Sequence, residues 1–75
     1  MKIILNDYDK KFLIDNDFSI DYEKDYTDDE YLEVLDDLYF QEISNVDLDE
    51  YKANRFADIA DIVFKLGEMD EDKIN

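Results

Sequence analysis

The residues that could carry out chemistry in this sequence are almost all carboxylates. The 75 residues include 23 aspartates and glutamates, and they include no histidine and no cysteine. The few hydroxyl side chains therefore lack the imidazole that commonly activates a nucleophile. Neighbouring acids recur at Asp28/Asp29, Asp36/Asp37 and Asp70/Glu71/Asp72. Such pairs arise by chance in so acidic a chain, and a short chain does not easily wall off a pocket. We predict that the protein is not an enzyme and needs no cofactor.

Calcium is the metal that oxygen ligands would favour, and residues 15–21 begin like the loop of an EF-hand. Oxygen donors stand at the first, third and fifth positions of that loop, Asp15, Asp17 and Ser19. However, Ile20 occupies the glycine position, and Tyr26 stands where the bidentate glutamate belongs. We therefore predict no dedicated metal site and interpret residues 15–17 as a polar turn.

The acids are most regularly arranged between Thr27 and Ser44, a segment without a basic residue. Thr27 and Glu30 have the spacing of a capping box, in which each side chain accepts a hydrogen bond from the other residue's backbone N–H. Apolar residues recur at helical spacing and should share one face: Tyr31, Leu32, Leu35, Leu38, Tyr39 and Ile43. Acids should cover the opposite face: Asp29, Glu30, Glu33, Asp36 and Asp37. The pattern predicts an amphipathic helix over residues 28–44.

The like charges of this acidic face destabilise the helix, and no basic residue of the helix offsets that effect. Like charges four residues apart are about 5–6 Å from each other and destabilise a helix. On the helical wheel Phe40 falls among these acids, where an aromatic side chain either packs against the chain or anchors a partner. We predict a partner-binding surface that consists of Asp29, Glu33, Asp36, Asp37 and Phe40, with Asp58 and Asp61 of the following helix.

Residues 2–22 favour short strands. Apolar and polar residues alternate in three pieces, 2–6, 11–15 and 18–22, which are separated by turns rich in Asn and Asp. Met1, Leu5, Tyr8 and Phe12 also fit a helical seam, so an N-terminal helix is the alternative. The β-branched isoleucines and the weak helix formers favour strands. We predict a three-stranded antiparallel meander.

A second helix is expected over residues 48–66. Asp47 followed by Glu50 offers its N-cap, and Gly67 should end it. Phe64 lies beside alanines on a face that could meet a partner or a second copy of the chain, which leaves a homodimer open. The sequence thus predicts one α+β domain over residues 1–67, in which two antiparallel helices cover a short sheet, and a frayed acidic tail over 68–75. The alternative is an all-α three-helix bundle.

The net charge of −15 indicates the kind of partner. Solubility alone needs a magnitude of about 2–8 for a small domain. The excess should repel nucleic acid and anionic membranes, so we predict no direct binding to either, and it should attract basic proteins. The absence of cysteine fits a reducing cytoplasm, and no apolar stretch approaches the roughly 20 residues of a membrane span. We predict a cytoplasmic protein.

In size, in charge and in the acidic helix Asp28 to Glu42, the sequence resembles the DNA-mimic proteins that bacteriophages direct against host defence, the anti-restriction and anti-CRISPR proteins. The resemblance implies a stoichiometric inhibitor in a bacterial host that occupies the basic nucleic-acid-binding site of a nuclease or of a CRISPR or restriction effector. The alternative is an acidic interaction module, such as a regulatory subunit, adaptor or immunity-type protein, that binds a basic or apolar surface away from any nucleic-acid site.

Overall fold

The computed structural model contains three α-helices and no β-strand in the backbone that it describes, residues 1–74, and it describes side chains for residues 1–68. The helices are α1 (Asp7–Asp15), α2 (Asp28–Asn45) and α3 (Glu50–Ile74). Helices α2 and α3 form an antiparallel hairpin and make most of the helix–helix contacts. The predicted α+β fold with a three-stranded meander is wrong, and the chain is helical. The all-α alternative gives the correct class.

The first predicted turn is the start of α1. Asn6 accepts a hydrogen bond through Oδ1 from the backbone N–H of Asp9, at 2.8 Å, and so caps the helix. Asp7 and Asp9 add carboxylates to the first turn, where the helix dipole favours them. Asn and Asp favour turns and N-caps for one reason, since their side chains bond to nearby backbone groups. Residues 11–15, predicted as a strand, are therefore the second half of α1.

The second predicted turn ends α1. The N–H of Phe18 donates to the carbonyl of Leu13 at 2.8 Å, and the N–H of Asp17 donates to that of Ile14 at 3.1 Å. This is the Schellman arrangement, which needs a left-handed residue after the helix. Asp17 fills that position with φ of 60°. The position of the turn is predicted correctly, but it closes a helix, and residues 18–22 follow it as an irregular segment instead of a strand.

The alternation in residues 2–6 reflects burial without a sheet. Ile3 and Leu5 are buried, whereas Lys2 and Ile4 are exposed. Met1 exchanges hydrogen bonds with Tyr26, whose N–H donates to the Met1 carbonyl at 2.7 Å and whose carbonyl accepts from the Met1 amine at 2.6 Å. One such pair holds the segment extended but does not make a ladder. The strand predicted for residues 2–6 is therefore wrong.

The core lies where α1, the α2–α3 hairpin and the extended first segment meet. Phe56 of α3 is fully buried there. Its ring meets the ring of Phe12 edge-on, with 5.0 Å between centroids, and the ring of Phe18 at 6.2 Å. The other buried members are Ile3, Leu5, Leu13, Leu35, Leu38, Ile59, Ala60 and Val63. Helix α2 is thus held against α3 by its leucines, and its opposite face is left for solvent.

Helix α2 begins where the sequence predicts. The hydroxyl of Thr27 accepts from the N–H of Glu30 at 3.3 Å, and Glu30 Oε1 accepts from the N–H of Thr27 at 3.1 Å, so the capping box is confirmed. Glu30 Oε2 also accepts a hydrogen bond from the Lys24 ammonium group. The Lys24 contact and the capping bonds lower the pKa of Glu30 to about 2.

We expect the stabilising effect of Glu30 to depend on pH. Its pKa in the folded protein is lower than the value of about 4.3 expected in the unfolded chain, so its contribution is complete above that value and is lost as pH falls through about 2. Glu30→Gln should therefore destabilise the protein at pH 7, and the deficit should shrink towards pH 2. Urea unfolding of both proteins at several pH values measures the deficit. Glu33→Gln removes the same charge from α2 without a capping contact and is the control. A Glu30→Gln deficit that stays constant between pH 7 and pH 2 would contradict the prediction.

Helix α3 begins two residues later than predicted. Asp49 is its N-cap, because Asp49 Oδ1 accepts from the N–H of Lys52 at 3.2 Å. The predicted cap, Asp47, lies in the turn between the helices. The helix then continues through Gly67 to Ile74, so the prediction that Gly67 ends it is wrong. The frayed tail over residues 68–75 stays a prediction, because side chains beyond residue 68 and the whole of residue 75 lie outside the described part.

Gly67 gives α2 room to approach α3. A Cβ atom at this position would overlap the phenol oxygen and the Cζ of Tyr31. That phenol lies against α3 and donates to the carbonyls of Val63, at 3.1 Å, and Phe64, at 3.2 Å. The glycine has no positive φ, which agrees with a role in packing and not in ending the helix.

Gly67→Ala should destabilise the protein by about 1–2 kcal/mol, although alanine favours a helix over glycine by about 1 kcal/mol, because the new methyl group overlaps the Tyr31 ring. In a Tyr31→Leu background the same change should stabilise by up to about 1 kcal/mol. A double-mutant cycle in urea tests both signs. Stabilisation by alanine in both backgrounds would show that Tyr31 does not need the space.

None of the helices in the part of the chain that the structure describes is long and apolar enough to cross a membrane.

Candidate partner-binding surface

Helix α2 carries a surface formed by Asp29, Glu33, Asp36, Asp37 and Phe40, which we call the acidic strip. Steps of three or four residues connect its members, so they are neighbours along about three turns of one helix. All five side chains are exposed. Helical periodicity places these residues on one face of α2, and their role as a partner-binding surface stays a prediction.

The four carboxylates of the acidic strip have no cationic partner among the described side chains. Two of the nearby lysines are engaged elsewhere: Lys24 with Glu30, and Lys65 with Asp61 at 3.2 Å. Arg55 is held by Asp9 and Asp58. The like-charge repulsion along α2 is therefore not relieved within the described part of the chain, and an external cation would relieve it.

Phe40 is 65% exposed. The sequence leaves two roles open for Phe40, packing against the chain or contact with a partner. The structure places Phe40 outside the core. Asp36 and Asp37 precede it by four and three residues, so its ring projects from between carboxylates. A large exposed ring among charged side chains contributes little to the stability of the fold. It offers an apolar anchor to a partner protein.

Asp58 and Asp61 lie on α3 and not on the acidic strip. Both are exposed, and each has a cation on its own helix: Asp58 lies 3.5 Å from Arg55 Nη1, and Asp61 lies 3.2 Å from Lys65. Their charge is thus partly neutralised, unlike that of the α2 carboxylates. No described contact joins Asp58 or Asp61 to the acidic strip. That they share one surface with α2 stays a prediction.

Sequence reasoning missed a cavity of about 550 Å³ between α2 and α3, which we call the apolar groove. It is lined by Met1, Asp28, Tyr31, Leu32, Leu35, Asp36, Tyr39, Phe64, Gly67 and Glu68. Leu32 and Tyr39 belong to the apolar face predicted from the sequence, yet Leu32 is 54% and Tyr39 40% exposed. A signal for the groove was available, because an apolar face of six residues is wider than one neighbouring helix covers.

A buried ion pair connects α1 to α3. Arg55 Nη2 donates a hydrogen bond to Asp9 Oδ1, and Asp9 is only 1% exposed. The guanidinium group also lies over the ring of Tyr8, 4.9 Å from its centroid, and the Tyr8 phenol shares a 2.6 Å hydrogen bond with that of Tyr51. Burial raises the pKa of the nearby Tyr22. The cluster joins α1 to α3.

Within the described residues, no group of three or more histidine, cysteine, aspartate or glutamate side chains is arranged to hold a metal ion. Comparison with known protein families, characterised proteins and solved structures finds no match for this chain. A functional assignment therefore depends on the acidic strip and the apolar groove themselves.

Proposed function

We propose that the protein is a stoichiometric inhibitor that presents the acidic strip to the basic nucleic-acid-binding site of a nuclease or of a CRISPR or restriction effector. One observation carries the proposal: four exposed carboxylates without a cationic partner among the described residues lie along a single helix, and an exposed phenylalanine follows them on the same face. Lysines and arginines that bind phosphates would find carboxylates there instead.

The spacing of the charges supports imitation of a nucleic-acid strand. Asp29 and Asp37 are eight residues apart, so a rise of 1.5 Å per residue places the four carboxylates along roughly 12 Å of helix. The mean interval is roughly 4 Å, and phosphates along one strand of duplex DNA advance about 3.4 Å each. A basic groove that follows one strand could therefore meet a similar mean density of negative charge along α2.

Charge and anchor have separate roles in this proposal. The net charge of −15 accelerates the encounter with a basic surface and makes binding sensitive to salt. Charge alone would make the protein promiscuous, whereas a desolvated aromatic residue at the centre of an interface contributes specificity. Phe40 supplies such a residue within the acidic strip.

Competition with DNA tests the proposal. The immobilised protein is exposed to a nuclease-treated bacterial lysate, and the proteins that it retains are then challenged with a duplex of random sequence. A partner held by its nucleic-acid-binding site should be released by the duplex and by an increase in salt from 50 to 300 mM.

Retention of the partner in saturating duplex would contradict the proposal. That outcome would favour the alternative, an acidic interaction module that binds away from any nucleic-acid site. The apolar groove is the observation that favours this second function.

A further inference from the structure

We infer that the apolar groove is a docking site for an amphipathic α-helix of a partner protein, with leucine-like side chains on one face of that helix and lysine or arginine along its flanks. The groove shares only Asp36 with the acidic strip, and the inference does not depend on nucleic-acid mimicry. It is argued from the exposure, the length and the charge of the groove.

Among the residues whose side chains the structure describes, none covers the apolar lining of the groove. Leu32 is 54%, Phe64 45% and Tyr39 40% exposed, although all three border a single depression. Contiguous exposed apolar side chains on a small protein commonly mark an interaction site. A small molecule in so open a groove would stay largely in water, whereas a macromolecular partner would cover the three side chains.

The length of the groove fits a short helix. On α2 its lining runs from Asp28 to Tyr39, which corresponds to roughly 16 Å at 1.5 Å per residue. That is about three helical turns, enough for apolar anchors at i, i+3 or i+4, and i+7 of a docked helix. The groove lies between two antiparallel helices, so a third helix laid along it would continue the packing already present.

The charge of the groove identifies the flanks of that helix. Its described lining contains three carboxylates, Asp28, Asp36 and Glu68, and no lysine or arginine side chain. These three side chains are exposed and have no cationic partner among the described residues. Lysines and arginines beside the apolar face of a docked helix would meet them. A second copy of the chain would instead add another net charge of −15, so self-association is disfavoured.

A designed peptide tests the inference without knowledge of the natural partner. The probe is a fluorescein-labelled 14-residue peptide of leucine and lysine, in which leucines recur at three- and four-residue intervals. A peptide of the same composition, with leucines dispersed around the helix, is its control. Fluorescence anisotropy in 150 mM NaCl should show at least tenfold tighter binding of the amphipathic peptide. Equal affinity for both peptides would mean that charge alone drives binding, and it would overturn the inference.

Matched variants locate the binding. Leu32→Ser and Phe64→Ser should each weaken binding of the amphipathic peptide at least fivefold. Ile14→Ser removes from α1 an apolar side chain that is more exposed than either, and it should change the affinity less than twofold. Retained affinity in both groove variants would overturn the inference, while the competition experiment with DNA could still succeed.

Two further measurements cover folding and self-association. If a groove variant loses helical circular dichroism, its binding measurement is replaced by amide chemical-shift mapping of the unsubstituted protein with the amphipathic peptide. Peptide-induced shifts should then concentrate at residues 31–39 of α2 and 63–68 of α3, and shifts confined to other regions would overturn the inference. Sedimentation should show a monomer, and a dimer that Leu32→Ser dissociates would assign the groove to a second copy instead.

Discussion

Replacing both Asp36 and Asp37 by lysine is expected to weaken binding to the basic partner by about a hundredfold or more. A hydrogen bond to a charged group contributes about 1.5–3 kcal/mol, and 1.4 kcal/mol corresponds to a factor of ten in affinity. Two lost carboxylates therefore account for the hundredfold loss, and the two new lysines add repulsion. Titration calorimetry or biolayer interferometry on the partner identified by DNA competition measures the effect.

The fold should survive this double substitution. Both side chains are exposed and form no ion pair within the described part of the chain, so no native ion pair is lost. Glu33 with a lysine at position 37 becomes an attractive i, i+4 pair where the wild type has a repulsive one. Circular dichroism should therefore be unchanged, and the urea midpoint should be equal or higher. A loss of binding with an intact fold would then report on the surface itself.

A second double variant separates the acidic strip from net charge. Glu23→Lys with Asp47→Lys changes the charge by the same amount at two exposed positions outside α2. This control should reduce affinity much less, and mainly at low salt, where charges act over a longer range. Equal losses in the two variants would mean that overall charge, and not the arrangement on α2, determines binding.

The parts of the fold that could be predicted from the sequence are those determined by local chemistry. The start of α2 depends on two side chains three residues apart, Thr27 and Glu30, and both capping bonds form as predicted. The N-cap of α1 is equally local, yet it was interpreted as a turn between strands. Asn6 favours either structure, and the isoleucines nearby favour strands.

The packing contacts could not be predicted because they join distant residues. Gly67 was expected to end a helix, and its actual role depends on Tyr31, which is 36 positions earlier in the chain. Asp9 falls between the predicted strands 2–6 and 11–15, in a turn where most aspartates would be exposed. Asp9 can be buried only because a cation from another helix pairs with it. No residue near Asp9 in the sequence indicates that cation.

The two candidate surfaces differ in the same way. The acidic strip belongs to one helix, so the 3.6-residue period predicts its membership before any tertiary structure is known. The apolar groove arises from the packing of α2 against α3, where Phe64 lies beside the apolar face of α2. Its apolar residues can be recognised one by one in the sequence. That they line one common depression follows only from the α2–α3 hairpin.

The second large effect is expected at Arg55, whose guanidinium group neutralises a buried carboxylate. Arg55→Met should cost about 3 kcal/mol, because it leaves Asp9, 1% exposed, without its cation. The figure is at the lower end of the usual range since the Arg55 side chain is 24% exposed and water reaches part of it. Small domains have roughly 0.05–0.15 kcal/mol of stability per residue, so this loss removes a large fraction of the total.

The double variant Asp9→Leu with Arg55→Met should recover to within about 1 kcal/mol of the wild type, because an apolar pair of similar size often replaces a buried ion pair without loss. Lys65→Met is the matched control: it breaks the exposed pair with Asp61 and should cost less than about 0.5 kcal/mol. Urea unfolding of the four proteins measures these differences. If Arg55→Met proved no more harmful than Lys65→Met, the ion pair would not be what holds α1 on α3. The aromatic contacts of Phe56 with Phe12 and Phe18 would then account for the docking.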